Sequence, residues 1–108
     1  MADIPVNDVQ WNAVSAEQQN DIITTLREAG ALREEDTIVP STDVEPFTED
    51  TVLEPLWNPL RDICRAACDA TATTAFAACS AKFGASGVGL VACLAGAKAI
   101  QKACRDRC

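Results

Sequence analysis

The residues best placed to do chemistry in this 108-residue chain are its six cysteines, at positions 64, 68, 79, 93, 104 and 108. The gaps between them run 4, 11, 14, 11 and 4, a series that is its own mirror image about Ser86. Thiols so placed can form disulfides, hold a soft metal ion as thiolates, or be joined as thioethers to modified hydroxyl residues. Pairing outermost with outermost gives Cys64–Cys108, Cys68–Cys104 and Cys79–Cys93, one of the 15 pairings open to six cysteines. A zinc or copper(I) site built from Cys64, Cys68, Cys104 and Cys108 is a second arrangement, but it leaves Cys79 and Cys93 without a role. Thioethers to Thr71, Thr73, Thr74, Ser80 or Ser86 are a third, and they would not require mirror spacing. The nested ladder is therefore the expectation, with no bound metal and no cofactor.

A ladder needs two rigid arms, and the same gaps say which kind. On an α-helix a gap of 4 turns about 400° and a gap of 11 about 1100°, so the three cysteines of each arm share one face. On a strand a gap of 11 would put Cys68 and Cys79 on opposite faces. Cys68 to Cys79 and Cys93 to Cys104 each rise about 16.5 Å on a helix, so antiparallel arms that meet at one pair meet at all three. Gly84 to Gly89 is the Gly-rich turn between the arms, and Asn58-Pro59 supplies a cap and a first residue for arm one. Disulfide-bonded Cα atoms lie closer than bulky side chains between helices permit, so the seam must be small. Ala67, Thr71, Ala75 and Ala78 on arm one and Ala92, Gly96, Ala97 and Ala103 on arm two meet that requirement.

Charge divides the chain elsewhere. Residues 1–56 hold 13 Asp/Glu against 2 Lys/Arg and no cysteine, whereas residues 57–108 hold 3 against 7, so the overall −7 splits into −11 and +4. Within the acidic part, Ser15 and Gln18 have capping-box spacing, Ile22, Ile23 and Leu26 form an apolar stripe, and Gly30 is a stop, which predicts one amphipathic helix over about 15–30. Trp11 and Val14 lie just upstream. Such a helix is marginal alone and needs a partner surface. Asp36 to Pro40 reads as a short extended segment, and residues 41–56 as a flexible acidic linker. The domain reading is an acidic leader-like segment over 1–40, that linker, and a Cys-rich hairpin over 57–108. The fold class expected is all-α: an antiparallel helical hairpin stapled by three nested disulfides, preceded by a leader helix.

Between Asp69 and Lys98 the hairpin carries one charge, Lys82, whereas its base is charged on both arms. The tip is apolar: Phe76, Phe83, Leu90, Val91 and Leu94 exceed what two helices can bury in one seam. Two fates are open to them. They pack on the acidic half or a second copy, or they form a membrane contact that a cationic base draws to anionic lipid. The acidic half likewise is either a solubilising tail or a segment, residues 11–40, gripped by processing or export machinery. In the second case Ile22, Ile23 and Leu26 would enter a groove and Ile38 and Val39 would add to a sheet.

An acidic leader-like segment with a short helix, followed by a cationic Cys-rich and Ala/Gly-rich remainder, resembles a bacteriocin-type ribosomal antimicrobial peptide precursor. The paired Cys-x3-Cys motifs, Cys64/Cys68 and Cys104/Cys108, are similar to those of α-hairpinin defence peptides with disulfide-stapled helical hairpins. The added rung and the longer separation of the motifs depart from the short hairpinins. The first resemblance implies synthesis in the cytoplasm, removal of the leader, and secretion of a membrane-active peptide. The same motifs also look like those of small helical-hairpin chaperones, and Cys-lined helices suit metal storage. No N-terminal secretory signal is visible, and the best apolar run, Val88 to Ala97, is too short to span a bilayer. The chain has no His, no Tyr, no phosphate-binding Gly loop and no Cys-x2-Cys, so no enzyme activity is expected. Too few basic residues lie near aromatics to suggest nucleic acid.

Overall fold

The computed structural model describes residues 3–47, 59–84 and 87–107. Its elements are β1 (Asp3–Asn7), α1 (Asp8–Asn12), α2 (Ala16–Glu28), β2 (Thr37–Ser41), α3 (Pro59–Phe83) and α4 (Val88–Asp106). Helices α3 and α4 are the arms of the hairpin. Gly84, at φ +82°, ends α3 and donates its N–H to the Ser80 carbonyl at 2.9 Å, a left-handed stop that only glycine adopts cheaply.

Helix α2 forms where the capping signals place it. The Ser15 hydroxyl accepts the Gln18 N–H at 3.2 Å, and the Gln18 side chain accepts the Ser15 N–H at 3.4 Å. At the other end Gly30 has φ +80°, its N–H bonds to the Arg27 carbonyl, and the Ala31 N–H reaches back to the Leu26 carbonyl. This Schellman arrangement stops the helix by satisfying carbonyls that have no partner within it.

The fold is mostly helical but not all-α. β1 and β2 pair in parallel, with Ile4 opposite Ile38 and Pro5 opposite Val39, and the crossover between them contains α1 and α2. The alternation of Ile4 and Val6 is short and holds Pro5, and β2 holds Pro40; proline in a run argues against a strand. A sheet of only two strands tolerates both, because each strand has an outer edge where a missing N–H costs no ladder bond.

The start of the expected linker is also built in. The Asn7 side-chain amide donates to the Val44 carbonyl at 2.8 Å, and the Gln10 amide holds both backbone groups of Phe47, donating to its carbonyl at 2.8 Å and accepting its N–H at 2.7 Å. Val44 and Phe47, within the segment expected to be linker, are thereby fastened to β1 and α1. Residues 48–58 lie outside the described ones, as do Ser86 and Cys108.

One core serves both halves. Ile4, Val6, Trp11, Val14, Ile22, Leu26, Leu32 and Ile38 cluster with Ala75 and Cys79 of α3 and with Leu90, Ala92, Cys93, Ala97 and Ile100 of α4. Helix α2 touches both arms, while β1 and α1 pack on α4. Among the fully buried side chains the bulkiest, Ile22, Leu26 and Val6, all come from the acidic half; the hairpin's own are Cys79 and Cys93. The partner surface that the amphipathic helix requires is the hairpin itself.

Candidate functional site

The hairpin's seam is closed by disulfides at the expected heights. Cys68–Cys104 and Cys79–Cys93 join α3 to α4, with Cα–Cα separations of 5.8 and 5.7 Å. These near-equal distances, about 16.5 Å apart along the axis, are what antiparallel helices with matched gaps produce. The outermost rung, Cys64–Cys108, ends on a residue outside the described ones. No cysteine among the described residues is free. Cys68 and Cys104 are consumed in a disulfide, which removes two thiolates from the four-cysteine metal arrangement. The hydroxyls of Thr71, Thr73 and Thr74 donate to the carbonyls of Ala67, Asp69 and Ala70 one turn back.

Beside the Cys68–Cys104 rung a polar tie sets the same register. The Asp69 carboxylate accepts from Gln101 Nε2 at 2.7 Å and from Arg105 Nη1 at 3.1 Å. Gln101 and Arg105 are four residues apart on α4 and both buried, so a single carboxylate on α3 is held between two consecutive turns. The Arg105 side chain is 9% exposed against 39% for Asp69, so the cation is the member that needs the pair. Lys98, one turn before Gln101 on α4, has its pKa lowered by partial burial first and by the nearby Arg105 charge second, with Asp69 acting in the opposite direction. The charge pattern alone placed these residues at the base; the neutral Gln101 is what sequence reading missed, since a glutamine in a helix carries no signal of its own.

Above this base the hairpin presents the apolar residues expected to make membrane contact, and four of the five belong to or pack against the core shared with the acidic half. Leu90 is buried, while Phe76, Phe83 and Leu94 are half-buried and pack against the shared core. Val91 is half-buried as well. A Cβ at Gly89 would lie 3.2 Å from Phe83 Cδ1 and 3.6 Å from Gln18 Nε2, so the Phe83 ring folds over the start of α4 under the first turn of α2. Among the described residues the exposed large apolar side chains are others: Val9, Ile63 and Val88. Periodicity could not identify them, because exposure here depends on where the acidic half lies.

The residues expected to meet processing machinery are largely interior. Ile22 and Leu26 have no accessible surface and Ile38 is buried, while Ile23 and Val39 are half-buried. Their neighbour across the interface is Gly96: a Cβ there would lie 3.2 Å from Leu26 Cδ1 and 3.6 Å from Ile38 Cδ1. Gly96, expected in the seam, therefore lies where the side chains of Leu26 from α2 and Ile38 from β2 meet α4. Leu26 and Ile38, one from each proposed recognition group, converge on Gly96, where α4 carries no side chain.

Among the described residues no helix is long and apolar enough to cross a membrane, and no three His, Cys, Asp or Glu side chains gather as a metal site. No protein-family model, curated protein or solved structure matches the chain, so its function has to be argued from this geometry.

Proposed function

We propose that the chain is the precursor of a secreted, disulfide-stapled, cationic antimicrobial peptide of bacteriocin type. In this reading residues 57–108 act on anionic membranes, and the acidic half keeps them inactive until it is removed. The observation that carries the proposal is the shared core: residues 3–47, with 10 Asp/Glu against 2 Arg, pack on the apolar face of a hairpin whose half of the chain has net charge +4. Apolar side chains that two stapled helices cannot bury are sheltered by the part of the chain whose charge opposes binding to anionic lipid. Separating the halves would expose Leu90, Phe76, Phe83 and Leu94 together and leave a polypeptide with an apolar tip and a cationic base.

Processing or export machinery would act on residues 11–40. Because Ile22, Leu26 and Ile38 are occupied by the hairpin, a groove that takes them must compete with Gly96 and its neighbours. Recognition of the leader and release of the hairpin would then be one event. Synthesis in the cytoplasm followed by secretion of the hairpin belongs to the same reading.

The test is dye release from vesicles rich in anionic lipid. A protease site introduced within residues 48–58 allows the oxidised chain to be cut and the halves separated under denaturant. The proposal expects the hairpin fragment to release dye at concentrations where the uncut chain does not, and salt to weaken the effect. Equal activity of the two samples, or none from either, would remove the membrane reading and favour a protein partner for the same face.

A further inference from the structure

The acidic half contributes more than a cover, because the hairpin's seam is too small to specify itself. On the hairpin side the shared core is lined by Ala75, Cys79, Ala92, Cys93 and Ala97, with Leu90 and Ile100 at its margins. Small side chains let two helices approach, but they distinguish poorly between one register and another, since sliding one smooth face along another creates few clashes. Six thiols on such faces have 15 pairings open to them. The shape information lies in the acidic half. Ile22, Leu26 and Val6 are fully buried, α2 bridges α3 and α4, and Leu26 and Ile38 seat against Gly96. Sliding α4 by one turn would bring Ala92 or Ile100 under Leu26 in place of Gly96.

We propose that residues 3–47 are an intramolecular folding template that selects the cysteine pairing of residues 59–108. Docking of α2 on reduced α3 and α4 sets Cys79 opposite Cys93 and Cys68 opposite Cys104 before either bond forms. Each bond then forms by thiol–disulfide exchange with a small disulfide oxidant such as oxidised glutathione. A cysteine thiolate attacks the oxidant and expels one glutathione thiolate; the second cysteine thiolate attacks the mixed disulfide and expels the other. Two thiols are oxidised, one oxidant disulfide is reduced to two thiols, and two protons are released and taken up. The Asp69 tie to Gln101 and Arg105 holds the register at the base, while the acidic half holds it at the middle of the rods. This role does not depend on what the hairpin does after release.

The experiment is oxidative refolding of the reduced full chain in a glutathione buffer, with disulfides mapped by non-reducing peptide analysis. Leu26→Asp places a charge in the interface and leaves every residue of the hairpin unchanged. Leu26→Ala is a milder form that removes volume only, and Val9→Asp, at an exposed position, is the control. The wild type and Val9→Asp are expected to give predominantly Cys68–Cys104 and Cys79–Cys93. Leu26→Asp should lower the ratio of that isomer to all others by about tenfold or more, with Leu26→Ala between, as the loss of a buried leucine's packing implies. Recovery of the same isomer in the same yield from Leu26→Asp would overturn the proposal. So would a wild-type chain that refolds to a mixture.

Discussion

Replacing Gly96 by alanine sets two effects of opposite sign against each other. In the interior of a solvent-exposed helix, glycine to alanine stabilises by about 1 kcal/mol, because alanine loses less backbone entropy on folding. At Gly96 the added Cβ would stand 3.2 Å from Leu26 Cδ1 and 3.6 Å from Ile38 Cδ1. Carbon atoms in good contact lie about 3.5–4.0 Å apart, so Leu26 must shift by a few tenths of an ångström inside a core where it has no free surface. Overpacking of this kind costs about 1–3 kcal/mol. The sum runs from no change to a loss of about 2 kcal/mol, and Gly96→Leu, with three further carbons, should detach the acidic half. The assay is a denaturant titration of the oxidised chain followed by Trp11 fluorescence, with Trp57 replaced by phenylalanine so that the signal has one source. Trp11 is buried in the shared core, and its emission reports release of the acidic half while the disulfides keep α3 and α4 together. The midpoint should be unchanged or lower for Gly96→Ala and far lower for Gly96→Leu. A rise equivalent to about 1 kcal/mol for Gly96→Ala would mean that this face of α4 is open to solvent and that the reasoning is wrong.

Three other outcomes follow from the seam and its base. Asp69→Ala leaves the buried Arg105 guanidinium without its carboxylate and should cost about 1–3 kcal/mol in thermal or denaturant unfolding, the lower side of the range for broken buried pairs because Asp69 is partly exposed; Asp69→Asn, which keeps an acceptor, should cost less. Under limiting reductant, with alkylation and mapping at intervals, Cys68–Cys104 should open before Cys79–Cys93, since Cys104 is partly accessible and both Cys79 and Cys93 are fully covered; the reverse order would contradict the cover. Lys98 has a folded pKa below its unfolded 10.5, so the unfolded chain binds more protons between the two values and stability should rise with pH across that window. Lys98→Gln should flatten that rise, which pH-dependent unfolding below the onset of disulfide exchange can detect.

The hairpin was legible because disulfide spacing on a helix obeys two arithmetic constraints at once, angle and rise, and the cysteine gaps satisfy both. The capping box at Ser15 and Gln18 and the stop at Gly30 were legible because they are local signals that hold whatever surrounds them. β1 and β2 were obscured by Pro5 and Pro40, which sequence rules count against a strand and which this sheet accommodates at its two outer edges. Residues 42–47 look like linker because what fastens Val44 and Phe47 is the side-chain amides of Asn7 and Gln10, 37 residues earlier in the chain. The destination of Ile22 and Leu26 stayed open for a similar reason. An apolar stripe announces that it needs a surface, but not which one, and Gly96 reads as a small seam residue until Leu26 is seen against it. The apolar tip was recognised from composition, and its cover was one of two readings that composition permits.

Contact between the acidic half and α4 is measured directly by nuclear Overhauser spectroscopy of the oxidised full chain. Cross-peaks are expected from the Leu26 and Ile38 methyl groups to the Gly96 α-protons, and from the Gln18 side-chain amide protons to Gly89. Random-coil shifts across residues 3–47, with no cross-peak joining them to α4, would contradict that contact.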